Sequence, residues 1–206
     1  ALDAIVESCS KYLSAGQCIA GAVHARNNAS PLLQALRTDV RVQGLHVSPY
    51  HCRLIRDAAP CLRSRMRAAG ERTKEWISVL VDSPMVGEVH HPWVAGDAFG
   101  VPPVVNFSFC PDKSGRKPVH RRKWGMKPGR TDGPLPKAAN KAHLRLATSY
   151  GKPYDLLNSW PSVRGDKLWL RVSVGHSNTA YDGTHQDGAQ AARSFLRTLE
   201  DALCPA

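Results

Sequence analysis

An alternating run near the C terminus, Leu168-Trp169-Leu170-Arg171-Val172-Ser173-Val174, limits the fold more than any other stretch. Apolar side chains at every second position describe a strand with one buried face. Gly165-Asp166 in front of it is a hairpin signal. After a polar loop, Ala189, Ala192, Phe195, Leu196, Leu199 and Leu203 recur at helical spacing. Strand, hairpin, strand, loop and helix in that order require a sheet with at least one helix packed on it.

The rest of the chain reads less sharply. Leu2, Ile5, Val6, Cys9 and Leu13 have the spacing of an amphipathic helix that Gly16 would stop. Ile19–Ala25 predicts a short strand ending in the turn Arg26-Asn27-Asn28. Leu32–Leu36 predicts a helical turn, followed by alternation near Val40–Val42 and Leu45–Val47 that Ser48-Pro49 ends. From Leu54 to Leu80 the spacing is helical again, and Pro60 and Gly70 divide it into two helices. Pro102–Phe109 predicts a strand bounded by prolines, and Ala138–Ala147 a further helix. The expected class is α/β (α+β), with a mixed, mostly antiparallel sheet flanked by helices in a single domain, 1–206.

A chain of 206 residues can bury a full core, no apolar run approaches the roughly 20 residues that span a bilayer, and no secretory signal is present. The expectation is a cytoplasmic protein with no membrane partner. Cys9, Cys18, Cys52, Cys61, Cys110 and Cys204 form no CxxC pair and are read as buried or free thiols in a reducing compartment. His51-Cys52 lacks further ligands at zinc spacing, so no metal is expected. The net charge of +11 is concentrated in a basic loop, 112–137. Between Lys113 and Arg130 that loop carries eight cations and no acid, a field that attracts anions.

Tyr154-Asp155-Leu156, Gly165-Asp166-Lys167-Leu168, Tyr181-Asp182 and the run Ala189–Leu203 together resemble the closing segment of the chloramphenicol-acetyltransferase-like superfamily, most closely the second lobe of nonribosomal-peptide condensation domains. The resemblance implies one lobe of a two-lobed acyltransferase of natural-product biosynthesis. Such an enzyme forms an amide or ester from a carrier-bound acyl thioester. The start at Ala1 without a Met fits an excised piece of a longer polypeptide. The partners implied are an N-terminal lobe bearing HHxxxDG and an acidic carrier protein. No cofactor is expected to bind tightly, and phosphopantetheine-linked substrate or coenzyme A would supply the acyl group. The strand at 102–109 would cross to the missing lobe and be left unpaired, which invites a homo-oligomer through strand pairing.

Aligned on Asp182-Gly183, the signature puts Ser177 and Asn178 where the paired histidines belong, and Asn cannot shuttle a proton near neutrality. The catalytic residue is therefore unknown, with His176 and His91 as weak candidates. His91 belongs to His90-His91-Pro92-Trp93, which also reads as a surface loop over a packed Trp. The resemblance places Asn106, Ser108, His176 and Asn178 along a substrate tunnel and gives Asp182 a structural role. Arg116, Lys117, Arg121, Arg122 and Lys123 are left for a carrier or a phosphate. Two alternatives stand beside this reading: a basic-loop module for nucleic acid or another anion, nucleic acid being the less favoured partner, and a stand-alone coenzyme A-dependent acetyltransferase.

Overall fold

Two Ser-Pro pairs start the first two helices. Ser30 and Ser48 accept hydrogen bonds from the amides of Leu33 and His51, both at 3.2 Å, while Pro31 and Pro49 occupy the first helical turn, where a missing N–H costs nothing. The helices they cap are α1 (Pro31–Val42) and α2 (Pro49–Ala58). The computed structural model describes residues 3–26, 30–96, 100–109, 133–158, 162–164 and 167–203. Within it the chain divides into two compact units, Ala1–Arg63 and Ser64–Ala206.

In the first unit, β1 (Ala4–Glu7) and β2 (Ala22–Ala25) form an antiparallel pair that precedes α1 and α2. The amphipathic helix expected over Leu2–Leu13 is therefore a strand and a turn. Ile5 and Val6 are β-branched, and Ser10 binds Ala20 twice through its hydroxyl, donating to the carbonyl at 3.0 Å and accepting from the amide at 2.8 Å. The alternation expected at Val40–Val42 is likewise helix, because the Ser-Pro pairs begin helices here. Only Cys9, Ser14, Cys18 and Ala58 are buried among the described residues of this unit. Ile5, Val6, Ile19, Leu32, Val42 and Tyr50 lie exposed.

A 3₁₀ turn at Ala59–Cys61 separates α2 from α3 (Leu62–Asp82), so the break expected at Pro60 is present, whereas Gly70 lies inside α3. The second unit continues with β3 (Val86–His90), β4 (Val104–Phe109), α4 (Pro134–Lys141), β5 (Arg145–Leu146), β6 (Leu156–Leu157), β7 (Ser162–Arg164), β8 (Lys167–Ser173) and α5 (Gly188–Leu203). The sheet order is β3-β4-β8-β6-β5, with β7 also pairing β8. Only β5 and β6 run parallel. The mixed sheet flanked by helices matches the expected class. Expected helix 138–147 is displaced: α4 starts at Pro134, inside the span read as basic loop, and ends before β5. The hairpin residues Gly165-Asp166 fall outside the described residues, though β7 and β8 pair as a hairpin would. β4 is hydrogen-bonded to β3 on one side and β8 on the other, so the unpaired edge expected of it is absent. One sheet face, with Phe107 and Phe109 of β4 and Leu170 and Val172 of β8, packs on Trp76 and Leu80 of α3, on α4, and on Phe195 and Leu199 of α5. Among the described residues no helix is long and apolar enough to cross a membrane.

A buried ion pair pins the loops around this core. Arg72 of α3, 6 % exposed, donates to the Asp155 carboxylate at 2.9 Å and, from its other terminal nitrogen, to the Asn178 side-chain oxygen and the Gln186 carbonyl, both at 2.8 Å. Asp155 accepts two further bonds, from the Trp76 indole at 2.9 Å and the Gly175 amide at 2.8 Å. The loop from Gly175 to Gln186 is thus tied at both ends to one guanidinium and one carboxylate. Its tip is tied separately. Asp182 accepts from the Thr184 amide at 3.1 Å and meets Nδ1 of His143 at 2.6 Å, and His143 itself sits at φ 52°, just past the end of α4. The His143 bond, with the Thr184 amide behind it, holds the Asp182 carboxyl at about 2.

Removing one partner of the buried pair strands the other charge. Arg72→Met is expected to cost about 3–5 kcal/mol, and Arg72→Met with Asp155→Asn clearly less than the sum of the two changes, measured by denaturant unfolding. Gly175 has no room for a side chain, since a Cβ there would lie 2.2 Å from the Pro153 carbonyl oxygen. Gly175→Ala should cost about 3 kcal/mol or more and lower Tm accordingly. Asp182 has a depressed folded-state pKa, so the tie to His143 contributes above the ordinary carboxylate range and is lost as pH falls through about 2. Carboxyl NMR should place its midpoint there and return it toward the ordinary value in His143→Ala.

Candidate functional site

The second sheet face, opposite the helices, is polar. Antiparallel register sets Asn106 of β4 directly opposite His90 of β3 on one side and Arg171 of β8 on the other. Ser108 stands between Glu88 and Trp169 in the next row of that face. Directly opposed side chains share a face, so these six residues form a patch over three strands. Glu88 and His90 bond at 3.1 Å, and the His90 and Trp169 rings lie 4.5 Å apart between centroids. Arg171 donates to the Thr148 carbonyl at 2.6 Å, while its Nε is buried with no hydrogen-bond partner among the described residues. Arg171 as a whole is half-buried, and a guanidinium is a donor suited to a carboxylate.

The residues expected along a tunnel divide into two groups. Asn106 is exposed on this face and Ser108 is fully buried within it, its hydroxyl without a partner among the described residues. His176 and Asn178 belong to the loop after β8, where Asn178 is spent on Arg72. His176 Nε2 is buried without a partner among the described residues, and burial, then the charges of Arg65 and Arg72, push its pKa below the ordinary histidine value. Asp182 holds the tip of the same loop. His91 has both ring nitrogens engaged: Nε2 donates to the Pro102 carbonyl at 2.8 Å and Nδ1 accepts from the Trp93 amide at 3.0 Å. That fixes one neutral tautomer and ties down the loop 91–96. Arg116, Lys117, Arg121, Arg122 and Lys123 lie outside the described residues. Among the described residues no group of three His, Cys, Asp or Glu side chains is arranged to hold a metal.

The first unit contributes a tight turn between β1 and β2. The Lys11 amide donates to the Ser8 carbonyl at 3.2 Å and the Lys11 carbonyl accepts from Gly16 at 2.9 Å, which fixes this backbone on both sides. Ala15 and Gly16 close the turn at φ 54° and 73°. Cys9 and Cys18 are buried beside it, and burial, followed by the charge of Glu7 and then Cys18, raises the Cys9 thiol pKa. The Ser14 hydroxyl is fully buried with no partner among the described residues. Lys11 is the one lysine in this unit. Reading Leu2–Leu13 as a helix hides the turn that carries Lys11. Arg171 could have been found, as the one cation within the alternating strand Leu168–Val174.

No protein-family model matches the chain, and no curated protein matches it. Solved structures do. The methionine gamma-lyase CalE6 of Micromonospora echinospora superposes with a TM-score of 0.68 at 20% identity, covering 96% of this chain and 48% of that one. Cystathionine gamma-synthase of Xanthomonas oryzae pv. oryzae, in complex with cystathionine, gives 0.70 at 19% identity, covering 98% and 51%. A putative O-acetylhomoserine (thiol)-lyase of Campylobacter jejuni, with N'-pyridoxyl-lysine-5'-monophosphate at its position 205, gives 0.67 at 14% identity, covering 97% and 52%. The chain spans about half the length of these structures. The fold is theirs and not that of an acetyltransferase-like or condensation-domain lobe. The acyltransferase expectation rested on that lobe and is overturned with it. So are the phosphopantetheine or coenzyme A substrate, the stand-alone acetyltransferase and the basic-loop binding module. The likeness that misled is a strand, hairpin, strand and helix at the C terminus, an order that both folds accommodate.

Proposed function

We propose that this chain is the C-terminal half of a pyridoxal phosphate-dependent lyase or synthase that acts on an amino acid, with Lys11 as the cofactor-bearing lysine and Arg171 as the anchor of the substrate carboxylate. The observation that carries the reading is the likeness in fold over 96–98% of the chain, combined with a pyridoxyl group on a lysine in one of those structures.

The residues present fit the cofactor. An aldehyde requires a primary amine on an immobile backbone, and Lys11 has that backbone. Three of the other described lysines are placed differently: Lys74 is bound to Glu71 at 2.9 Å and lies over the Trp93 ring, and Lys137 and Lys141 are exposed on α4. Ser8, exposed at the head of the same turn, is available to a phosphate oxygen. The chemistry the cofactor supplies when bound is that of an electron sink. This chain's own part is positional and acid–base. In the second unit, Arg171 is suited to take a substrate carboxylate in a charge-assisted bond; in the first, Lys11 Nζ is a group able to carry a proton. The first unit's exposed Ile5, Val6, Leu32 and Val42 give the other half of the enzyme apolar surface to cover.

Incubating the full-length protein with pyridoxal phosphate, reducing with borohydride and mapping peptides by mass is expected to find the adduct on the peptide containing Lys11, and none there in Lys11→Ala. An adduct confined to another lysine would overturn the assignment.

A further inference from the structure

The pairing edge expected of 102–109 is filled, and among the described residues the sheet of the second unit ends one strand further out, at β3. There β3 bonds only to β4, so alternate residues along it turn their N–H and C=O groups away from the sheet. Edges that stay single are commonly guarded by a lysine or a proline, and Val86–His90 contains neither. Its one irregularity, a register shift between Val86 and Glu88, leaves Glu88–His90 regular.

We propose that β3 is a self-pairing edge, to which a second copy of this chain adds antiparallel about a two-fold axis at Val89. Charge selects that occupant and that register. Glu88 and His90 share the polar face, whereas Val89 between them packs toward the core. Directly opposed residues of an antiparallel pair lie on one face, so Glu88 of each copy meets His90 of the other and Val89 meets Val89. The helices of both copies then cover the same side of one continuous sheet. A slip of one residue puts them on opposite sides. A slip of the axis to Glu88 or His90 sets carboxylate against carboxylate or imidazole against imidazole. Where β3 ends, a hollow of about 500 Å³ lined by Val89, His90, His91, Pro92, Val94 and Ala95 continues the edge. In the same register Met85 and Val86 of the second copy arrive there, opposite Trp93 and Pro92. Trp93 and Val94 are each 46 % exposed in the single chain, apolar surface that this approach covers.

Sedimentation of the 206-residue chain, with amide exchange read on β3, tests this. The expected result is a reversible dimer whose β3 amides are protected at high protein concentration and released on dilution. Glu88→Lys removes the attraction across the axis and His90→Glu sets like charges there, so each should weaken association roughly five-fold or more. Mixing the two variants should restore it, because the new lysine of one copy then faces the new glutamate of the other. A charge pair acting only within its own strand would gain nothing from mixing. The proposal is overturned by a chain that stays monomeric at millimolar concentration, by variants that associate unchanged, or by mixing that restores nothing. It is equally overturned by β3 protection that does not depend on concentration, the result that a segment of the same chain lying on the edge would give.

Discussion

The Arg72–Asp155 pair is the interaction on which the second unit depends. Asp155 stands immediately before β6, Arg72 is in the middle of α3, and the groups they share come from the loop between β8 and α5. One carboxylate therefore registers a helix, a strand and a loop against each other at a point where every alternative leaves a charge in a dry interior. Hydrophobic burial alone would hold the sheet against α3, α4 and α5, but it is non-directional and would not choose where the chain leaves β8. Gly175 completes the arrangement, since its amide serves Asp155 and its missing side chain admits the Pro153 carbonyl.

That rigid end of β8 gives the polar face its order. Arg171 lies on β8 four residues before Gly175, which follows the strand's end at Ser173, so the strand whose exit the network holds also carries the guanidinium. The first unit is built otherwise. It has capped helices, a strand pair and a pinned turn at Lys11, yet almost nothing buried, and its apolar side chains face outward. A unit with local structure and no core of its own is what half of a larger body would contain.

How much of this the sequence disclosed follows from which interactions are local. β4, β8 and α5 were legible because period 2 and period 3.6 persist there over six or more residues. The division of the long helical region at Pro60 was legible because proline acts on its own backbone. Leu2–Leu13 was misread because apolar spacing in a short run fits helix and strand alike, and the deciding bonds, Ser10 to Ala20, come from ten residues away. Ser48-Pro49 reads as a strand end in the sequence, although the same pair caps a helix start. Arg72 was lost among the cations Arg63, Arg65 and Arg67 of a helix whose burial depends on distant partners. Asp155 enters the sequence reading only through a resemblance; its three donors come from residues 72, 76 and 175, which no local pattern connects. The family resemblance erred in the same manner, matching element order where the topology of the sheet decides the fold.

If the proposed function holds, the second unit is stable by itself and the first unit is completed by the remainder of a longer protein. Amide hydrogen exchange on the isolated 206-residue chain decides this. Strong protection is expected in β4, β8, the middle of α3 and α5, with fast exchange through β1, the Lys11 turn and β2 that slows markedly in the full-length protein. Equal protection of both units in the isolated chain, or no gain in β1 and β2 when the remainder is present, would contradict it.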